Sequence, residues 1–228
     1  MATTLMTTTM PTVISIEGNI GSGKSTLLNK LRNKYKDDPT IGFVDEPIQL
    51  WNTIKDTNGV TILENYYTNQ NKYAFPFQMM AYISRLSILR KALKCNYRVI
   101  IMERSIYTDA AVFAKMLYDD RKIEEIEYSI YTKWFDEFID DLPPIHFIYV
   151  RAEPSISLTR VIHRSRQGEE TIPLEYLENC HKYHEEWLDQ NQMNKSNTLL
   201  VLNANTDINN NGIIYTYIDA IDQKFINK

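Results

Sequence analysis

The sequence predicts an α/β fold, a five-stranded, mainly parallel sheet flanked by helices. Three observations predict it. Runs of strand-like residues at Thr12–Glu17, Ile41–Asp45, Arg98–Glu103, Ile145–Arg151 and Thr198–Leu202 alternate with helical patterns, the order of parallel α/β units. Several of the runs are almost continuously apolar, as strands covered on both faces are. And the stretch GNIGSGKST, Gly18–Thr26, sits between the first run and a helical pattern, where α/β proteins bind phosphate.

The first strand and its loop carry the clearest chemistry. Gly18, Gly23, Lys24 and Ser25 satisfy G-x-x-x-x-G-K-[ST]. A phosphate cradle needs several backbone N–H groups turned toward one anion, in conformations that glycine tolerates. Gly18, Asn19, Gly21, Ser22, Gly23, Lys24, Ser25 and Thr26 are therefore candidate triphosphate contacts. Lys24 would reach the β- and γ-phosphates and the Ser25 hydroxyl would ligate Mg²⁺. Leu27, Leu28 and Leu31 follow at helical spacing, so strand, loop and helix occur in the required order. A glycine-rich turn that binds nothing is the plainer alternative, and the agreement of motif and context speaks against it.

The remaining helical patterns cover Lys24–Lys36, a long stretch within Leu63–Cys95, Ser105–Tyr118, Ile123–Ile139, Pro154–Arg166, Pro173–Gln190 and Gly212–Phe225. No repeat or linker divides the 228 residues, so residues 12–228 read as one domain, preceded by a disordered tail over 1–11. The tail has neither the charged start of a secretory signal nor the arginines of a transit peptide, which points to the cytoplasm. The two cysteines, Cys95 and Cys180, have no ligand spacing and read as reduced thiols. A net charge of −4 argues against a general nucleic-acid-binding surface, and no apolar run is long enough to span a membrane.

Ligands of parallel sheets bind at the carboxyl ends of strands, so the residues there are the next candidates. Asp45-Glu46-Pro47 follows the second strand, and a carboxylate beside the phosphate loop could accept a hydroxyl proton. Glu103-Arg104-Ser105 ends the third, with Glu103 facing Mg²⁺ or its waters and Arg104 facing phosphate charge. The helix after the fourth carries Arg160, Arg164 and Arg166, a lid over a triphosphate. Each has a plainer reading: a turn at Glu46, an ion pair at Glu103 and Arg104, a solvated arginine face. Together, behind such a loop, they favour phosphoryl transfer. Tyr66, Tyr67, Tyr73, Phe75 and Phe77 offer flat faces for a base, and Gln78 a donor and acceptor edge, although a core aromatic cluster would look the same.

The blocks EGNIGSGKST, DEPIQLW, FPFQMMAYISRL, MERSIYTDAAVFA and RSRQGEETIPLEYL, which lie within about Val13 to Leu188, resemble the deoxycytidine/deoxyguanosine kinase family of deoxynucleoside kinases. The resemblance implies the P-loop kinase fold, a homodimer, and transfer of the γ-phosphate of ATP, with Mg²⁺, to the 5′-hydroxyl of a deoxynucleoside in nucleotide salvage. It implies Glu46 as general base, Arg104 as its assistant, and Glu103 beside Mg²⁺. Gln78 would pair with the base, with Trp51, Phe77 and Phe113 lining its pocket. Tyr67 would contact the 3′-hydroxyl together with a lid glutamate, Glu169 by its spacing from Ile172-Pro173, with Glu170 adjacent. Gly168 departs from the polar lid residue common in the family. Ala81, Arg85 and Asp109 occupy the positions that tune base choice, and the charged pair resembles kinases that disfavour thymidine. Whether Arg85 and Asp109 read the base or merely pair with each other stays open, as does the choice among deoxycytidine, deoxyadenosine and deoxyguanosine. The segments Leu63–Cys95 and Ser105–Tyr118 are the candidates for the dimer interface.

Two rivals remain. A nucleoside monophosphate kinase of the thymidylate kinase type would need further cations for the acceptor phosphate and usually an Asp-Arg-Tyr pattern in place of Glu103-Arg104-Ser105. A catalytically inactive binding subunit on the same scaffold should have lost one of Lys24, Glu46, Arg104 or the lid arginines, and all are present.

Overall fold

The computed structural model describes residues 10–165, 169, 172–188, 198–207 and 212–227. The strands are β1 (Thr12–Glu17), β2 (Ile41–Val44), β3 (Val99–Glu103), β4 (Ile145–Arg151) and β5 (Leu199–Asn203). They form one sheet in the order β2-β3-β1-β4-β5, and every pairing is parallel. The five expected strands are thus present, and the sheet is wholly parallel. β1 lies at the centre, in register with β3 through Ile16 and Glu103 and with β4 through Glu17 and Tyr149. Its carboxyl end therefore has chain on both sides, which puts the phosphate loop mid-sheet.

Alternating residues feed two cores. Ile14, Ile16, Ile101 and Ile148 meet Leu27, Leu28 and Leu31 of α1 (Lys24–Lys34) on one face. Val13, Ile100, Met102 and Phe147 meet the other layer. α2 (Ile48–Trp51) and α3 (Ile62–Thr68) precede α4 (Gln70–Leu93), the longest helix among the described residues. Thr61 and Glu64 cap α3 reciprocally. Asn69 then leaves helical geometry, and its side chain accepts from the Lys72 amide, so α3 and α4 are separate helices. Leu89 and Ala92 of α4 reach the second core.

After β3 the chain forms α5 (Ile106–Thr108), a π-helical turn over Asp109–Ala114, and α6 (Lys115–Asp119). The single helix expected over Ser105–Tyr118 is therefore interrupted, and Ile106, Thr108, Asp109, Val112, Ala114, Met116 and Leu117 are buried within the subunit. α7 (Glu125–Ile139) packs on α4 through Tyr82 and Tyr131. α8 (Pro154–Arg164) and α9 (Leu174–Trp187) follow β4, and α10 (Ile213–Ile221) closes the α1 side through Tyr217, Ile218 and Ile221. No helix among the described residues is long and apolar enough to cross a membrane.

Candidate active site

The phosphate loop is built on crowding at two glycines and open space at a third. Gly18 has φ 141°, and a Cβ there would lie 2.5 Å from the Val150 carbonyl oxygen. Gly21 has φ 77°, and its Cβ would lie 2.4 Å from the Ser157 carbonyl oxygen of α8. Gly23, at φ 105°, has nothing within 4 Å of that position. The first two thus pack the loop against β4 and α8, while the third leaves room over the start of α1, where helix N–H groups attract anions. Asn19 ties the loop down: its Nδ2 donates to Leu177 O (2.8 Å) and its Oδ1 accepts from the Ile20 amide (2.8 Å). Its own carbonyl accepts from Lys24 Nζ (2.7 Å). Burial, reinforced by the Arg104 cation, pushes the Lys24 ammonium down to about 7. The Ser22 hydroxyl is buried with no hydrogen-bond partner among the described residues, an orphan of the kind that an anion would satisfy.

This cradle opens into a pocket formed with Thr26, Arg160, Arg164, Thr206, Asp207 and Tyr217. Arg160 donates from Nη1 to Ser22 O (3.2 Å) and from Nη2 to Thr206 O (3.3 Å), joining the lid helix to the loop and to the chain after β5. Arg166 lies outside the described residues, as do Gly168 and Glu170. Thr206, Asp207 and Tyr217 are additions to the residues expected from sequence. Thr206 and Asp207 follow β5, so the same strand-end reasoning reaches them; the asparagine-rich run around them reads only as a loop.

Ser25 Oγ donates to Glu103 Oε1 (2.8 Å). A hydroxyl and a carboxylate beside a phosphate cradle are the hard oxygens that Mg²⁺ prefers, so the residues fit that ion.

A second pocket adjoins the first, with Lys24 and Arg164 on both walls. At its sheet end Arg85, 1% exposed, holds two carboxylates at once. Its Nε donates to Asp109 Oδ2 (2.9 Å) and its Nη2 to Glu46 Oε1 (3.2 Å), while Nη1 donates to Glu103 O (3.1 Å). Burial opposes this charge, but Asp109 and Glu46 outweigh it and hold the guanidinium protonated above its ordinary range. Arg104 Nε lies 3.4 Å from the same Glu46 oxygen, its guanidinium sits 4.9 Å from the centre of the Phe113 ring, and its Nη1 is buried without a partner among the described residues. Glu46 thus sits between two arginines, one of which retains an unused donor.

The walls follow from α3, α4 and α9. Phe77 stacks on Tyr66 (4.6 Å) and meets Trp51 edge-on (5.3 Å). Trp51 Nε1 donates to Ser84 Oγ (2.9 Å), which fixes the indole plane. Gln78 lies one turn before Ala81 and Tyr82 on α4, and its Oε1 is buried without a hydrogen-bond partner among the described residues. Ala81 lines the same wall. Tyr67 and Glu169 also line the pocket. Burial and then the Glu169 charge raise the Tyr67 hydroxyl well above its usual range, and Glu169 pairs with Arg164 of the lid. Tyr176 also lines this pocket and bonds Tyr66 through their hydroxyls (2.8 Å); its aromatic ring and its place in the block RSRQGEETIPLEYL are the sequence signals that could have singled it out. The structure therefore gathers Glu46, Trp51, Tyr67, Phe77, Gln78, Ala81, Arg85, Glu103, Arg104, Asp109, Phe113 and Glu169 around one cavity. Asn19 faces α9, and its side chain is committed to the loop.

The sequence model for deoxynucleoside kinases matches residues 14–227. The chain belongs to the deoxynucleoside kinase family. This kinase is 36% identical over 181 residues to a probable deoxycytidine kinase of Fowlpox virus, covering 78% of this chain and 72% of that one. It is 34% identical to deoxycytidine kinase 2 of Gallus gallus (90% and 86%) and 32% identical to a mitochondrial deoxyguanosine kinase of Xenopus laevis (87% and 83%). The kinase is a phosphotransferase that phosphorylates a deoxynucleoside from a nucleoside triphosphate, a reaction of nucleotide salvage. This activity is favoured over a monophosphate kinase or an inactive subunit.

Proposed function

We propose that the kinase uses ATP and Mg²⁺ to phosphorylate the 5′-hydroxyl of deoxycytidine, deoxyadenosine or deoxyguanosine in preference to thymidine. The observation that carries this reading is the buried Arg85, bonded to Asp109 and to Glu46 in one cavity with Gln78. The charged pair would meet the base and the Glu46 carboxylate the reacting hydroxyl. The 5′-oxygen would form a bond to the γ-phosphorus as the bond to the β–γ bridging oxygen breaks, with Glu46 taking the hydroxyl proton. Arg104, through its unused Nη1, would bear on the transferring phosphoryl group. Lys24, Ser22 and the loop amides would hold the β- and γ-phosphates, and Arg160 and Arg164 would close over them. Mg²⁺, held by Ser25 with Glu103 beside it, would neutralise phosphate charge during transfer. Tyr67 and Glu169 would hold the 3′-hydroxyl. Gln78, with its orphaned Oε1, would pair with the base edge between the Phe77 and Phe113 rings. The relatives named deoxycytidine and deoxyguanosine kinases support this base preference.

A homodimer is part of the proposal. Ile126, Ile130 and Trp134 on α7 and Ile83 on α4 are exposed, whereas the Ser105–Tyr118 segment is taken up inside the subunit. The interface would therefore join α4 to α7. Cytoplasmic residence would suit Cys95 and Cys180, both free thiols.

The test is a coupled phosphorylation assay with ATP and Mg²⁺ against deoxycytidine, deoxyadenosine, deoxyguanosine, thymidine and their monophosphates. Turnover of the nucleosides, with thymidine poorest, is expected. Turnover of monophosphates alone would overturn the reading, and thymidine as the best acceptor would overturn its base preference.

A further inference from the structure

One fully buried carboxylate lines neither pocket, although its charge is among those that hold Arg85 protonated. Glu17 ends β1, immediately before Gly18, and has no exposed surface. Three hydroxyls donate to it: Ser15 to Oε1 (2.6 Å), Ser105 to Oε1 (2.7 Å) and Thr108 to Oε2. All three donors are themselves buried. Removing a carboxylate from water is costly, and an apolar side chain of similar volume would fill this space without that cost.

What the hydroxyls fasten is the turn that follows β3. Arg104 adopts φ 61°, the left-handed region that side chains other than glycine rarely occupy. Such a conformation is strained and persists where its surroundings fix it. Two ties fix it here, and both run to β1. The Arg104 amide donates to Ile16 O (3.0 Å), and the next residue, Ser105, returns to extended backbone with its hydroxyl on Glu17. Thr108 adds a third tie one turn later, directly before Asp109. The kink turns the Arg104 side chain away from the strand, to Glu46 and over Phe113.

We infer that Glu17 is a positioning residue for the phosphoryl transfer: by gathering the Ser105 and Thr108 hydroxyls onto the end of β1, it holds Arg104 in its left-handed turn and aims the guanidinium at the reacting groups. The inference rests on the role proposed for Arg104. Glu17 acts behind the site and lines neither pocket.

The experiment is a double-mutant cycle of Glu17→Gln and Arg104→Met, reading kcat, both KM values and Tm. Glutamine keeps the shape but turns an N–H₂ group toward one of the hydroxyls that now donate, so the brace loosens while the core stays filled. Arg104→Met alone should lower kcat at least about a hundredfold. Glu17→Gln alone should lower kcat at least about tenfold, with both KM values within about threefold. In the Arg104→Met background the same change should move kcat less than about twofold, yet lower Tm as much as in the parent, because the stability effect does not pass through the guanidinium. Losses of kcat that multiply in the double variant would overturn the inference, as would a Glu17→Gln kcat within about twofold of the parent. A near-parent kcat for Arg104→Met would instead remove the role proposed for Arg104, and the inference with it. If Glu17→Gln does not fold, Thr108→Val removes one donor at the far side of the brace and enters the same cycle with the same expectations.

Discussion

Arg85 is almost wholly buried and has two carboxylates against it. Removing it alone would strand buried Asp109 and leave Glu46 short of a partner, at a cost of about 3–5 kcal/mol. Removing Arg85 and Asp109 together, as Arg85→Met with Asp109→Ala, leaves no lone buried charge and frees space near the base. The double variant should gain kcat/KM for thymidine by at least about tenfold, measured in the coupled assay; an unchanged value would count against a base-reading role for the pair. Glu46→Ala should lower kcat at least about a hundredfold while deoxynucleoside binding, followed by Trp51 fluorescence, survives. A near-normal kcat would sink the assignment of Glu46 as base. At this scale much could be read from the chain, because Glu46, Glu103 and Arg104 lie at the carboxyl ends of strands. Whether Arg85 faced Asp109 or the base could not, since that depends on how α4 and the π-helical turn face one another. The structure shows Arg85 doing more than pairing: it also reaches Glu46.

The phosphate loop separates two jobs that its glycines share in sequence. Gly21 is pressed against the Ser157 carbonyl, whereas Gly23 faces open space. Gly21→Ala should therefore lose stability by about 2 kcal/mol or more, through strain and collision with α8. Gly23→Ala should lose less stability and raise the KM for the triphosphate more than about tenfold, because its methyl enters the space over the cradle. Thermal unfolding and donor kinetics on both variants decide this, and equal Tm losses with equal KM values would contradict it. Neither difference is visible in the motif, which fixes Gly23 and says nothing of what lies above Gly21. The helices were legible in proportion to their regularity. α1, α7 and α8 follow clear apolar spacing. The break at Asn69 and the π-helical turn at Asp109–Ala114 follow from capping and packing, and DAAVFA shows no periodic signal for a wider turn.

For the whole molecule, the apolar stripe of Ile126, Ile130 and Trp134 on α7 recurs at four-residue spacing and so lies along one face. If this stripe and Ile83 of α4 form the proposed dimer interface, Trp134→Glu should shift the protein from dimer to monomer in sedimentation velocity. An unchanged sedimentation coefficient would move the interface elsewhere. Strand number and alternation gave the architecture, because parallel strands buried on both faces announce themselves as apolar runs. Their spatial order lies in long-range pairings that no local pattern records. That order has a consequence for synthesis. Of the five described strands β1 is made before the others and is the central one, and its neighbours are β3 and β4. On the ribosome it waits with one edge unpaired until residues 99–103 have emerged and with the other until 145–151 follow, carrying the nucleotide loop the whole time. A nascent chain arrested between them would present an apolar strand edge, a template for aggregation and a target for chaperones, and could acquire its triphosphate site only after β4 had docked.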